Sequence, residues 1–419
     1  MAEQNLQRVV VSGIGIITSI GESLPAFRQG LFNGACGIGP VTLFDTSGFP
    51  CQLAAQVQHE NLKFFFAPRE TKRMSRCDLL GLIAAREAFS DASLTPEVYE
   101  GKAISVILGA GAGSMLSWEH YRRSTYSGKA RTRPSVLLSV PQCTLTDSIA
   151  NRYRLCGHRA TIATACSSSA TAIGYGFDLI RSGDSDIVVT GGSESLTELT
   201  FAGFNSLRLM DSGCCRPFDK NRRGLSLGEG AAMLMLESYE HARKRNATVY
   251  AEVLGYAVNA DAYNMTSPDP EAAGMSAVMA AALVKAGLSM DRVDYINAHG
   301  TGTQINDAIE TIAIKKVFGN RHALSIAVSS TKSMVGHCLG ASGAIEAAAT
   351  VLAIAEQIAP PTLHVDTPDP ACDLDYVPGM ARKQPIRTAL SNSFAFGGNN
   401  TCLVFGRAPM PNGKKGCAL

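Results

Sequence analysis

Short β-branched runs alternate with longer Ala/Leu/Ile-rich stretches along nearly the whole chain, and this alternation limits the fold more than any other feature. The runs lie at Arg8–Ser12, Ala103–Leu108, Asp186–Thr190, Val293–Asn297, Ile326–Ser329 and Thr401–Phe405. The intervening stretches include Leu79–Phe89, Ala170–Ile180, Ala272–Ala286 and Ala341–Ala355. Runs that are apolar without a polar alternate suit strands covered on both faces, and helices are what cover them. The pattern predicts an α/β protein with largely buried sheets.

An internal repeat overlies this alternation. Thr161–Ile180 reads as a strand, a small-residue turn and an Ala-rich helix, and Ile326–Leu352 repeats the layout. The first unit is followed by IVVTGGSES and the second by TALSNSFAFGG. Two related halves facing each other would bring both turns to one central site. The expected division is 1–252 for a half with the nucleophile and 253–410 for a half with the histidines, with 411–419 as a tail.

With 419 residues, the chain exceeds the roughly 100–200 residues of a usual domain, which allows one large core or two fused ones. A net charge of +2 gives no reason to expect nucleic acid. The Gly-punctuated N-terminus lacks a basic leader with a small-residue cleavage site. No apolar run free of charge reaches the ~18–20 residues that span a bilayer, since Ala341–Ala355 carries Glu346. A cytoplasmic protein without a membrane segment is expected. The 12 cysteines show neither framework spacing nor CxxC, and Cys214-Cys215 is an adjacent pair, so reduced thiols and no metal are expected. Cys417 stands third from the C-terminus, one residue short of a prenylation box.

Cys166, in TACSSS, follows an apolar strand and opens a helix. A helix N-terminus offers unpaired N–H groups and partial positive charge, which predicts a lowered thiol pKa and a nucleophile. A free cysteine is also a common small core residue, so position alone leaves both readings open. His299, in NAHGTGT, stands in a tight turn at a strand end, where polar groups converge on ligands or bond to backbone. Lys332 and His337 share STKSMVGH just before the second Ala-rich helix, and Glu346 within it is the candidate partner for a buried Lys332. The glycines of SFAFGGNN can aim backbone N–H groups inward beside Cys166 and so form an oxyanion hole. Gly109-Ala110-Gly111-Ala112-Gly113 is G-x-G-x-G and not the dinucleotide fingerprint G-x-G-x-x-G.

One cysteine and two histidines in these contexts resemble the elongating β-ketoacyl-[acyl carrier protein] synthases of the thiolase-like superfamily. RVVVSGIGIITSIG, RPFDKNRRGLSLGEGAAMLMLE, NADAYNMTSP, NAHGTGT, SSTKSMVGHCLGASGAIE and NSFAFGGNN occur in family order, nearly end to end. The resemblance implies a five-layer αβαβα fold of two pseudo-symmetric halves, and a dimer, either of one chain or with a related ketosynthase-like subunit. It implies that Cys166 accepts the acyl chain and that His299 and His337 stabilise the enolate from a decarboxylating malonyl thioester. Lys332 and Glu346 match the supporting ion pair, while Cys166, Phe396 and Gly397 match the oxyanion hole and gate. Thr301 and Thr303 match contacts to the pantetheine arm, and Ala112, Phe204 and Phe394 match the substrate site. No cofactor is implied, because the phosphopantetheine arm arrives with the carrier protein.

An acidic acyl carrier protein would dock on basic residues, for which Arg69, Lys72, Arg73, Arg76 and Arg216 are the candidates. Gly302, Arg223 and Asn399 stand where Ser, Asp and Thr are usual in the family. The small Ala112 replaces a bulky aliphatic and would deepen an acyl tunnel. The rival readings are a non-elongating chain-length-factor-like subunit, a thiolase, a starter-type synthase and a cysteine protease. Cys166 disfavours the first, the Lys332/His337 motif the second, the histidine pair the third and the Gly/Thr pocket the last.

Overall fold

The computed structural model describes residues 6–59, 62–99, 103–127 and 133–408. The expected tail, 411–419, and with it Cys417, lie outside the described residues. Ten strands form the central framework. They are β1 (Val9–Thr18), β2 (Ser105–Gly109), β3 (Arg159–Ile162), β4 (Ile187–Glu194), β5 (Gly230–Ser238), β6 (Ala251–Ala260), β7 (Tyr295–Asn297), β8 (Ala327–Ser329), β9 (Thr388–Ala395) and β10 (Asn399–Gly406). Their spatial order is β8-β7-β9-β10-β6-β1-β5-β4-β2-β3.

That order contains the same five-strand pattern twice. Counting strands within each half, both sheets run 3-2-4-5-1, with the fifth antiparallel to its neighbours. The halves meet where β1 and β6 pair antiparallel, Val10 opposite Glu252. Strand β6 straddles the expected boundary at 252/253, so the division falls earlier, between Lys244 and Ala251.

Five principal helices complete the layers: α1 (Arg76–Asp91), α2 (Ser168–Arg181), α3 (Ala273–Lys285), α4 (Gln304–Ala323) and α5 (Ser342–Glu356). Helix α1 lies on the outer face of the first sheet, α3 and α4 lie outside the second, and α2 and α5 fill the space between. Alternate strand residues divide between these layers, as the period of two requires. In β5, Ala232, Leu234 and Leu236 join the central core, while Ala231, Met233 and Met235 join the outer one. In β10, Leu403 and Phe405 face the centre, and Cys402 and Val404 face α3. Both faces being covered, β1, β2, β4 and β5 are buried along their whole length and carry no solvent-facing polar alternate.

The central layer is thin because its helices are built from small residues. A Cβ placed on Gly343 would come within 2.7 Å of the Ala170 Cβ and backbone nitrogen. The Ala344 N–H donates to Ser169 Oγ across the same crossing at 2.9 Å. Leu339–Glu356 has the length and mean apolarity of a bilayer-crossing helix, but it carries Glu346, as the sequence reading noted, and is 83% buried in the protein. A helix otherwise apolar on all sides suits that position.

Gly343→Val should force the central helices apart and destabilise the protein by about 1–3 kcal/mol, as overpacking of a dense core does. Urea unfolding checks this: an unchanged midpoint would show that the crossing is looser than its geometry.

Candidate active site

In each half a tight turn downstream of the third strand starts a central helix, directly in the first half and after a short helix at Lys332–Val335 in the second. In the first half the turn is a 3-10 segment, Ala165–Ser167, and in the second it is Leu339–Ala341. Their first residues share a left-handed backbone, Ala165 at φ 51° and Leu339 at φ 44°. The nucleophile candidate Cys166 therefore has Gly340 as its structural counterpart.

Cys166 is 7% exposed and stands beside the Phe396 N–H. Burial pushes its thiol up to about 11, against the opposing pull of the Lys332 charge and the Phe396 N–H. The expectation of a lowered pKa is thus reversed, because desolvation of the anion outweighs the field of the helix start.

The two histidines face each other with ring centroids 5.4 Å apart and planes at 86°. Both are buried. His337 Nδ1 accepts the Leu339 N–H at 3.1 Å and lies 3.0 Å from Ser342 Oγ. His299 Nδ1 lies 3.2 Å from the Lys332 ammonium. A donor on Nδ1 places the ring proton on Nε2. Burial, and after it the Lys332 charge, hold both imidazoles well below the ordinary histidine range. The site therefore contains two neutral rings, each with a free Nε2–H donor.

Lys332 is 1% exposed and satisfies its donors with Glu346, the His299 carbonyl at 2.6 Å and the His299 ring. The anticipated partner is the one found. The turn carrying His299 is clamped by two carboxylates of α4 that the sequence reading passed over. Glu310 accepts the N–H groups of His299 and Gly300, both at 2.8 Å. Asp307 accepts those of Thr301, Gly302 and Phe218. The available signal was two acids one turn apart, in the first turns of the helix just after the histidine motif.

Two cavities meet at Cys166. One, of about 370 Å³, is lined by Cys166, His299, His337, Thr301, Thr303 and Phe394, with exposed Arg208 and Arg223 among its other walls. The other, of about 460 Å³ and mostly apolar, contains Ala112, Met115, Val140, Leu199 and Leu339. Phe204 and Phe396 line both and stack on each other at 5.6 Å, so they form the partition between them. The Gly397 N–H bonds instead to the Met265 carbonyl at 2.8 Å, which removes it from the expected oxyanion hole.

The Gly109–Gly113 loop wraps Glu194. A Cβ on Gly111 would fall 2.1 Å from Glu194 Oε2, and that same oxygen accepts the Gly340 N–H at 3.0 Å. The glycines serve a buried carboxyl and not a nucleotide. Burial lifts this carboxyl to about 8.

Of the expected docking residues, Arg69, Lys72 and Arg73 are exposed. Arg76 turns inward to the fully buried Glu229 and the Val57 carbonyl, so it is a structural cation and not a surface one. Arg216 is partly withdrawn, 3.8 Å from Asp211. Among the described residues every cysteine is free of disulfides.

Two outcomes follow. Alkylation of Cys166 by iodoacetamide, read by mass against a Cys166→Ala blank, should accelerate about tenfold per pH unit from 7 to 10; a plateau near pH 7 would contradict the high thiol pKa. Glu194 holds in the folded state a proton that the unfolded chain has released, so its contribution to stability is lost as pH rises through about 8. Glu194→Gln should thus remove about 1.4 kcal/mol per pH unit of slope from urea-unfolding free energies between pH 5 and 8.

Residues 6–242 match the family description "Beta-ketoacyl synthase, N-terminal domain", and residues 250–366 match "Beta-ketoacyl synthase, C-terminal domain". The chain is 42% identical to a 3-oxoacyl-[acyl-carrier-protein] synthase 2 of Synechocystis sp., covering 97% of this chain and 99% of that protein. Its fold superposes on the ishigamide ketosynthase/chain length factor with a TM-score of 0.92 at 35% identity, covering 96% of this chain and 100% of that one. A type II polyketide ketosynthase, solved with its acyl-carrier protein and bound to a hexaketide, gives a TM-score of 0.87 at 34% identity, covering 97% and 100%. The duplicated five-strand pattern, a cysteine in the turn that starts one central helix and two neutral histidines facing each other thus belong to a condensing enzyme of the β-ketoacyl synthase family.

Proposed function

We propose that the chain joins a Cys166-bound acyl group to malonyl-[acyl carrier protein], releasing CO2 and a β-ketoacyl-[acyl carrier protein] two carbons longer. The single observation that carries this is the pair of neutral imidazoles with occupied Nδ1 atoms, which leaves two Nε2–H donors beside one buried thiol. In the first half-reaction the Cys166 sulfur attacks the incoming thioester carbonyl. The N–H groups of Cys166 and Phe396 take up the oxyanion, and the pantetheine thiol leaves. Burial keeps the thiol protonated at rest, so as the sulfur attacks its proton passes to the departing pantetheine sulfur.

In the second half-reaction His299 and His337 donate to the malonyl thioester oxygen. Loss of CO2 leaves the bonding pair on the α-carbon, and the enolate oxygen is held by the two N–H groups. That carbon attacks the Cys166 thioester, the β-ketoacyl product forms, and the departing Cys166 sulfur takes one proton from solvent to restore the thiol. Neutral donors suit this step, because they stabilise the enolate without protonating its carbon. Lys332, tied to Glu346, fixes the His299 tautomer and rotamer and acts as a positioning residue.

The pantetheine arm would lie in the 370 Å³ cavity along Thr301 and Thr303, with Arg208 and Arg223 at its margin for an anionic carrier or phosphate. The acyl chain would pass the Phe204/Phe396 partition into the 460 Å³ cavity beside Ala112. Edge strand β3 has no partner on its outer side among the described residues and is partly exposed, which suits pairing with a second ketosynthase-like subunit. A second reading, catalytic half of a heterodimer making polyketides or polyenes, is favoured by the likeness to the ishigamide ketosynthase/chain length factor. Purified protein given acyl- and malonyl-carrier proteins, with products identified by mass, tests both readings; absence of any extended product from the chain alone and with such a partner would refute them.

His299→Ala should cut malonyl decarboxylation by about 10²–10³, as loss of one oxyanion donor does. Ala112→Ile should shift products to shorter chains; an unaltered product distribution would place the acyl chain elsewhere.

A further inference from the structure

Three loops far apart in sequence converge beside the turn that carries Lys332, and they bring together two thiols and an imidazole. The ligand atoms of Cys36, Cys214 and His364 all lie within 4.8 Å of one another. None of the three lines either substrate cavity. We propose that Cys36, Cys214 and His364 bind one thiophilic divalent cation, Zn2+ by preference.

The chemistry of the set selects the ion. Two thiolates and one neutral imidazole cancel a 2+ charge, so the partly buried site holds no net charge when filled. Thiolate sulfur is a soft donor that suits zinc and disfavours Mg2+ and Ca2+, which take oxygen. Tetrahedral zinc, with bonds of about 2.3 Å to sulfur and 2.0–2.1 Å to nitrogen, needs its ligands roughly 3.5–3.8 Å apart. Side-chain rotation supplies the remaining contraction of about 1 Å. Three protein ligands leave a fourth position for water or an exogenous anion.

The backbones that present these side chains are already fixed. The Gly37 N–H donates to the Met334 carbonyl at 2.9 Å, behind Cys36. The Cys215 N–H donates to Ser226 Oγ at 3.1 Å, next to Cys214. On either side of His364, the Leu363 N–H donates to Ser333 Oγ at 2.9 Å, and the Asp366 N–H to Asp219 at 2.8 Å. His364 itself holds a left-handed backbone at φ 63°. Its imidazole stands beside the Cys36 thiol, and among the described residues no hydrogen-bond partner other than that neighbour meets its buried Nε2. Cys36 is exposed, which gives an ion a route inward. Anchored loops, a convergent donor set and an access path are the requirements of a built metal site.

Bound metal would tie the loops at 36, 214 and 364 to one another and to Lys332–Val335, so it should also raise the melting temperature. Titrating the full-length, fully reduced protein with Co2+ should give one equivalent bound, with thiolate-to-cobalt charge-transfer and tetrahedral d–d bands that Zn2+ abolishes. Cys36→Ser, Cys214→Ser and His364→Ala should each weaken binding at least about 100-fold, with circular dichroism confirming the fold. Cys166→Ala should bind as the parent does. Absence of thiolate–cobalt bands in the reduced parent would overturn the proposal, and so would bands that survive Cys36→Ser or vanish in Cys166→Ala. Should His364→Ala fail to fold, Cys36→Ser decides alone, because its side chain is exposed.

Discussion

The crossing of the two central helices is the constraint from which the rest of this molecule follows. Gly343 against Ala170 lets the helix backbones approach closely, and that approach sets the distance between the two sheets. It also sets the distance between the two turns that start those helices. Cys166 precedes one helix and His337 the other, so one packing contact among small residues determines the separation of nucleophile and enolate donors. A larger side chain at the crossing would damage geometry and stability together.

Around that crossing the buried charges are arranged to keep the reacting groups neutral. Lys332 is fully enclosed, and its Glu346 partner, the His299 carbonyl and the His299 ring take its protons. Its field, added to burial, prevents either imidazole from charging. An imidazolium would protonate the carbanion that the site has to preserve. Removing either member of a buried ion pair leaves an uncompensated charge, typically costing about 3–5 kcal/mol. The pair therefore ties the protonation state of the site to the integrity of the fold.

Much of this was legible in the chain. β-branched runs located β1, β2, β4, β7, β8 and β10, and Ala/Leu/Ile-rich stretches located α1, α2, α3 and α5, because those segments are strongly biased in composition. Strand β5 escaped, since Gly-Ala-Ala-Met-Leu-Met-Leu-Glu-Ser contains no β-branched residue and reads as helix by propensity. Its place between β1 and β4, covered on both faces, overrides that preference. Cys166, His299, His337 and the Lys332–Glu346 pair were readable from motifs in series. The thiol's high pKa was not, because burial is a property of the assembled layers. Nor was the inward turn of Arg76, whose partner Glu229 is remote in sequence. The approach of Cys36, Cys214 and His364 escaped for the same reason: the spacing rules for metal ligands see only neighbours.

The duplicated turn at Leu339–Ala341 shows how one scaffold came to hold one active centre. Its Gly340 N–H lies where an acyl oxyanion would be received in the other half, and the Glu194 carboxyl already occupies it. The second turn is a sealed copy of the first. Its pocket is filled from within by that carboxyl, and the turn instead holds His337 through the Leu339 N–H, walls the acyl cavity and launches the helix that follows. Symmetry supplied two equivalent pockets, and a single internal carboxyl makes the molecule one-sided.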